Sequence, residues 1–336
     1  PASDGKRIIY HAGADLYVFD PADGSNRQLA INVRSPRIQR NRRFVDAARY
    51  ADGVRLHPSG RVLALTTRGK GFAFFNHDGP VLQYGKRAGV RYRLPEWLND
   101  GSHLLLISDE PGEERIEINS NDVTQPPRHI EGLDIGRAIS IKVSPTDDRI
   151  AVTNHRHELL VVDLSEKYQG EPSGRVTMVD RSQYRPIAGF DWSPDGVWLA
   201  YGCSLSPQTT AIRLCKLSEK SEQPAPEGET EAKAGELPPS PALQAEVYTV
   251  TQPVLHDVRP AFDPDGNYLY FLSYREFNPV YDSLHLDLGF PWGMRPYLIT
   301  LRSDLLNPFT AHPEFDEDDR PGKDKGHGDE DDEDDE

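Results

Sequence analysis

Four stretches of the chain carry residue types that could do chemistry. Gly202-Cys203-Ser204-Leu205-Ser206 approaches a nucleophile elbow, in which glycines on both sides of a serine permit a strained turn. Ser206 stands where the second glycine is required, so the stretch reads as the end of a strand. His155-Arg156-His157 could set two imidazoles on one side of a strand, as metal ligands are sometimes set, but no carboxylate or cysteine cluster supports the pair. It reads as a surface hairpin turn. Asp263-Pro264-Asp265-Gly266 has the opening of a calcium loop without the later ligands, and also reads as a turn. Arg34, Arg37, Arg40, Arg42, Arg43 and Arg49 could grip acidic peptide ends or another subunit, or serve as solvated surface or interface packing. These stretches lead to no expected catalytic residue, metal ligand or cofactor.

The elements that hold these residues follow from a repeat. An apolar strand runs into Ser/Asp-Pro-Asp-Gly, or a variant, and a second apolar strand leaves it. The copies are Pro58-Ser59-Gly60, Asn99-Asp100-Gly101, Pro145-Thr146-Asp147, Pro194-Asp195-Gly196 and Pro264-Asp265-Gly266, with Ser3-Asp4-Gly5 opening the chain. Proline fixes φ at the first corner, aspartate bonds back to the backbone, and glycine accepts the positive φ that follows. Pro58, Gly60, Asp100, Gly101, Pro145, Pro194, Asp195, Gly196, Pro264, Asp265 and Gly266 are therefore expected to be structural turn residues. At the glycine position the copies fall at 5, 60, 101, 147, 196 and 266. A period in the forties, with one hairpin near the start of each unit, predicts a β-propeller of four-stranded blades.

The outer strands are visible too. Asp15-Leu16-Tyr17-Val18-Phe19-Asp20 and Glu158-Leu159-Leu160-Val161-Val162-Asp163 each end on aspartate and would complete a meander. The long spacing before residue 266 contains residues 219–241, rich in Glu, Pro, Ser and Ala, expected to be a disordered insert. The long spacing before residue 60 contains the arginine-rich stretch, read as a junction over 34–50. The segment Phe277-Asn278-Pro279-Val280-Tyr281-Asp282, continuing to Phe290-Pro291-Trp292-Gly293, is expected to pack over one face of the ring.

Composition agrees with many short strands: 28 prolines and 27 glycines against 2 methionines in 336 residues. Two cysteines make no disulfide framework, which favours a reduced setting. No apolar run reaches the 18 or so residues a membrane helix needs, and the first residues lack the basic and apolar regions of a signal peptide. Of the net charge of −16, 11 units come from 14 acidic and 3 basic residues between Glu314 and Glu336. Residues 311–336 are thus expected to be an acidic disordered tail or linker, and the rest has no electrostatic reason to bind nucleic acid.

Particular stretches also resemble the tricorn protease family. They are Arg42-Arg43-Phe44 through Leu56-His57-Pro58-Ser59-Gly60-Arg61, then Thr67-Arg68-Gly69-Lys70, Glu276 through Asp282, and Gly289-Phe290-Pro291-Trp292-Gly293. The resemblance covers roughly residues 1–310. It implies a large cytoplasmic serine protease with a six-bladed propeller, a seven-bladed propeller, and a later catalytic region with a PDZ-like insert. On that map residues 1–33 are the last blade of the first propeller, 34–50 the junction, and 51–310 five blade units of the second. The family's catalytic residues fall outside this chain, as do the basic residues that hold a peptide's C-terminus. The implied role is a non-catalytic wall that routes oligopeptides and scaffolds assembly. Its partners would be those peptides, the remaining segments of the same protein, and further copies of it.

A second reading is a stand-alone interaction module resembling TolB-type propellers, which share the Ser-Pro-Asp-Gly turns. A third is the propeller of a prolyl-oligopeptidase-type enzyme. Five units of a seven-bladed ring would leave two open faces, so the isolated chain is expected to be marginally stable or prone to aggregate.

Overall fold

A computed structural model describes residues 1–310 apart from 14, 33, 35, 37, 39, 40, 42, 43, 86, 123, 131, 165–174, 220–242, 277 and 290–292. The insert expected at 219–241, apart from Glu219 itself, and the tail expected at 311–336 lie outside the described residues. The chain divides into two units, Pro1–Asp46 and Ala47–Glu336. Among the described residues the fold is all-β, with no α-helix and none long or apolar enough to cross a membrane.

The first unit is one antiparallel meander of β1 (Ala2–Ser3), β2 (Ile8–Ala12), β3 (Asp15–Asp20) and β4 (Ser25–Leu29). Its opening turn is held by Asp4, whose Oδ1 accepts the main-chain N–H groups of Lys6 and Arg7 at 2.9 and 2.6 Å. These bonds lower the carboxyl to about 2. The sheet buries little by itself: Val18 is its one core residue among those described.

The second unit repeats this meander. The first blade is β5 (Ala51–Leu56), β6 (Val62–Thr67), β7 (Lys70–Phe75) and β8 (Val81–Tyr84). The second is β9 (Tyr92–Trp97), β10 (His103–Ser108), β11 (Arg115–Ser120) and β12 (Arg128–Ile130). The third is β13 (Ala138–Val143), β14 (Arg149–Asn154), β15 (Glu158–Asp163) and β16 (Arg175–Arg181). The fourth is β17 (Phe190–Trp192), β18 (Trp198–Ser204), β19 (Thr210–Glu219) and β20 (Leu243–Thr249). In the fifth, β21 (Asp257–Phe262) and β22 (Tyr268–Ser273) are followed by a small hairpin, β23 (Val280–Asp282) and β24 (Asp287–Gly289), before β25 (Arg295–Thr300) completes a three-stranded sheet.

Successive side chains of a strand point to opposite faces, so a strand between two neighbours must be apolar throughout. That explains the unbroken run Leu104-Leu105-Leu106-Ile107. Leu104 and Leu106 pack toward the first blade with Ala64, Ala73 and Tyr84; Leu105 and Ile107 pack toward Ile141, Ile150 and Val152 of the third. The third and fourth blades meet through Ala151, Leu159 and Val161 against Leu199, Tyr201 and Cys215. Ala200 and Ile212 meet Leu269 and Phe271 of the fifth. At the seams other than that between the second and third blades, alanines (Ala64 and Ala73, Ala151, Ala200) face large residues, which lets flat sheets interdigitate. The core therefore lies between blades, as propeller packing requires.

The turn residues lie at one end of the blades. Gly60, Gly101, Gly196 and Gly266 have φ between +63° and +71°. Each donates its N–H to the carbonyl three residues earlier: His57, Leu98, Ser193 and Asp263, at 2.8–3.0 Å. The turns also join neighbouring blades. His57 Nε2 lies 2.8 Å from the Gly101 carbonyl, Asn99 Nδ2 donates to the Ser144 carbonyl at 2.7 Å, and Thr146 Oγ1 to the Asp195 carbonyl at 3.4 Å.

Candidate functional site at the inner strands

First strands of neighbouring blades lie side by side, β5 with β9, β9 with β13 and β17 with β21, so they are the strands nearest the axis of the second unit. Three residues before each turn proline, or before Asn99 in the second blade, stands an equivalent position. Its occupants are Arg55, Glu96, Lys142, Asp191 and Ala261. The first four alternate in sign and pair across blade seams. Arg55 Nε donates to Glu96 Oε1 at 2.5 Å, and Lys142 Nζ bonds Asp191 Oδ1. Asp191 Oδ2 in turn accepts the main-chain N–H of Phe262 on the fifth blade at 2.8 Å.

The two signs differ in burial. The Arg55 and Lys142 side chains are about half exposed, at 49% and 47%, whereas those of Glu96 and Asp191 are 10% and 13% exposed. Long cationic stems can lie along the wall with their heads in water, while short carboxylates sit within it. Burial pushes the Glu96 carboxyl up to about 7, opposed by Arg55 and more weakly by Lys142. The axial wall consequently changes charge near neutral pH.

At the opposite rim from the turns, the second and third blades line an open cavity of about 600 Å³ whose charged residues are Arg91, Arg93, Arg137 and Arg156 together with Asp109, Glu113, Glu114 and Asp134. Arg93 forks onto Glu114 at 2.9 and 2.7 Å, and Arg156 onto Asp134 at 3.0 and 2.9 Å. The Arg91 and Arg137 guanidiniums have no carboxylate partner among the described residues.

The stretches singled out by residue type fall elsewhere. Cys203 and Ser204 are buried at the end of β18, and burial raises the Cys203 thiol. Ser206 Oγ accepts the N–H groups of Gln208 and Thr209, so it serves a turn. His155 and His157 flank the tight turn between β14 and β15. The His155 ring accepts the Arg137 N–H at 3.0 Å, and His157 takes a φ of +63°. Asp263 through Gly266 form the fifth-blade turn. Arg49 lies in a short 3-10 turn, Ala48–Tyr50. Arg37, Arg40, Arg42 and Arg43 lie outside the described residues, as do Phe277 and Phe290 through Trp292.

Of the aromatic excursion, only the hairpin and its flanks are described, without Phe277 and Phe290 through Trp292. Within its hairpin Val280, Tyr281, Leu284, Leu286 and Leu288 are exposed. Glu110, Glu117 and His129 approach one another as metal ligands could. Arg115 already supplies the cation there: its Nη2 lies 2.5 Å from Glu110 Oε2 and 3.2 Å from His129 Nε2.

Reasoning from residue type missed the axial position altogether. The signal was present, since the four residues share one offset from the turn, but only aligning the copies by register exposes it.

The repeated meanders, the cores between them and the charged inner strands define a β-propeller. Residues 51–232 match the family model "Tricorn protease second beta propeller domain", and the chain belongs to that family. It is 30% identical over 308 residues to a tricorn protease homolog of Saccharolobus solfataricus, covering 92% of this chain and 25% of that relative. It is 30% identical over 314 residues to tricorn protease homolog 1 of Streptomyces coelicolor, covering 92% and 26%. A solved structure, the crystal structure of the tricorn protease, superposes with a TM-score of 0.63 at 23% identity, covering 91% of this chain and 26% of that one. The chain thus spans less than a third of the length of the curated relatives it matches.

Proposed function

We propose that this chain is a non-catalytic part of a tricorn-like serine protease, forming one wall of an axial passage through which oligopeptides reach a catalytic domain elsewhere in the polypeptide. The observation that carries this reading is the alternating Arg55, Glu96, Lys142 and Asp191 series on the inner strands. A wall of paired, wetted charges offers a peptide many weak contacts and no deep apolar trap, which suits transit better than capture. The unpaired guanidiniums of Arg91 and Arg137 at the rim suit an entering carboxylate.

In this reading residues 1–33 are the last blade of a preceding propeller, 34–50 the junction, and 51–310 five blade units of the second propeller. The turn residues from Pro58 to Gly266 are structural, the protein works in the cytoplasm, and the assembled form is a homo-oligomer.

Two measurements test it. The purified chain incubated with fluorogenic peptides gives no turnover; clear hydrolysis would overturn the non-catalytic assignment. In the polypeptide carrying its catalytic segments, Lys142→Glu lowers kcat/KM for long peptides more than for dipeptide-sized substrates. Equal effects on both would reject the conduit.

A further inference from the structure

The fourth and fifth blades line a separate, open depression of about 590 Å³, in the size range of small-ligand sites. Arg185 and Arg259 bring guanidiniums to it, with His256 and Thr210 beside them and Tyr274 and Met294 as apolar wall. No carboxylate lines it among the described residues. Arg185 Nε donates to the Pro207 carbonyl at 3.0 Å, which leaves its remaining N–H groups available. The Arg259 side chain has no hydrogen bond or ion pair among the described residues.

The placement of Arg259 is built into the backbone. It occupies the bulge of β21, where the pairing with β22 shifts register between Val258 and Ala261. Its φ is +53°, a conformation that L residues other than Asn and Asp seldom adopt. The equivalent bulge residue of the second blade is Leu94, and that of the fourth is Gly189. Gly189 is the neighbour Arg259 packs on: a Cβ there would lie 2.9 Å from Arg259 Cα. The Arg259 N–H donates to the Ala188 carbonyl at 2.7 Å. A glycine would suit the left-handed position better, yet an arginine is held there with its charge unpaired. The left-handed conformation recurs at this register in Leu94 and Gly189 and so belongs to the blade's bulge; what distinguishes the fifth blade is the arginine that the bulge carries.

His256 is fixed from both sides. Its Nδ1 lies 3.2 Å from Thr210 Oγ1, and its ring meets that of Tyr274 edge to face at 6.3 Å. The cavity therefore combines two guanidiniums, an oriented imidazole, an aromatic ring and a thioether, with no opposing carboxylate among the described residues.

We propose that this cavity binds a small organic anion, a carboxylate or phosphate ester joined to an apolar group, with Arg259 and Arg185 holding the anion and Tyr274 and Met294 the apolar part. Guanidinium forks match either oxyanion, and the wall favours an apolar substituent over a bare inorganic ion. The proposal stands whether or not the chain conducts peptides.

The test is titration of the whole chain with benzoate, phenyl phosphate and neutral benzamide, followed by calorimetry and by amide chemical shifts. Saturable binding of benzoate or phenyl phosphate is expected, with shifts at Gly189, His256 and Tyr274 and none from benzamide; the tighter anion identifies the headgroup. Arg259→Gly is the decisive variant, because glycine accepts φ +53° and folding is not at risk. It should weaken anion binding about tenfold or more, with an unchanged or raised melting temperature. Benzamide binding as well as the anions, unaltered anion affinity in Arg259→Gly, or no saturation at ~10 mM would each overturn the proposal.

Discussion

Trp192 on the inner strand of the fourth blade donates its indole N–H to the main-chain carbonyl of Lys142 on the third, at 3.1 Å. The same Lys142 reaches back through Nζ to Asp191, so two adjacent residues pin one seam near the axis. Two repeats earlier, on the second blade, Trp97 holds the equivalent place. Its buried indole N–H has no acceptor among the described residues, and the ring instead meets His57 edge to face at 4.8 Å.

The two tryptophans should therefore respond differently to one substitution. Trp192→Phe loses a hydrogen bond and leaves the Lys142 carbonyl short of a donor, costing about 1–2 kcal/mol beyond the lost volume. Trp97→Phe removes a donor that was already unsatisfied, and should cost less by about 1 kcal/mol. Urea unfolding of both variants checks the order.

Glu96 predicts a pH dependence. Its folded value of about 7 lies above the 4.5 ordinary for glutamate, so between these values the folded state binds the extra proton. Stability should fall as pH rises from about 4.5 to 7, by up to ~3 kcal/mol for full ionisation, and stay level above that window as far as this group is concerned. Glu96→Gln should remove that slope. Melting curves between pH 5 and 8 read it directly, and an equal slope in the variant would dismiss the assignment.

Two turn glycines separate backbone strain from crowding. Gly266→Ala meets nothing nearer than 3.9 Å, so only the left-handed φ of +70° opposes it, at about 1 kcal/mol. At Gly196 a Cβ would also fall 2.0 Å from Thr146 Oγ1 on the next blade. Gly196→Ala should be the more destabilising of the two, and Thr146→Ala in the same chain should recover part of the difference.

The first blade turns Val54, Leu56, Leu63, Leu65, Phe72, Phe74 and Val81 to the face away from the second blade, as their cross-strand pairings require. Val54, Leu56 and Val81 are 46%, 57% and 67% exposed. An apolar sheet face of this kind drives association. The isolated chain should self-associate with rising concentration, and Leu56→Lys with Val81→Lys should shift it toward monomer in light scattering.

Much of this fold was legible in the residues because its instructions are local. Pro194-Asp195-Gly196 encodes a turn within four positions, and Leu104 through Ile107 declares a strand buried on both faces. The axial charges were not legible in that way. Arg55 and Glu96 are 41 residues apart, and their pairing appears only when the blades are set in register. Arg259 was hidden for a related reason, since nothing beside it in the chain marks a bulge whose meaning depends on Gly189 in another blade. The exposure of Leu284 and Leu286 in the hairpin was not legible either, because apolar residues usually report burial.

The claim that the inner strands form a peptide passage is tested most directly by photo-crosslinking. A benzophenone side chain placed at position 142, and in a separate protein at exposed position 178 on the outer strand β16, would be irradiated in the catalytically complete polypeptide during turnover of a long peptide. Crosslinked peptide from position 142 and little from 178 is the predicted result. Equal labelling at both positions, or labelling from 178 alone, would contradict a passage along the axis.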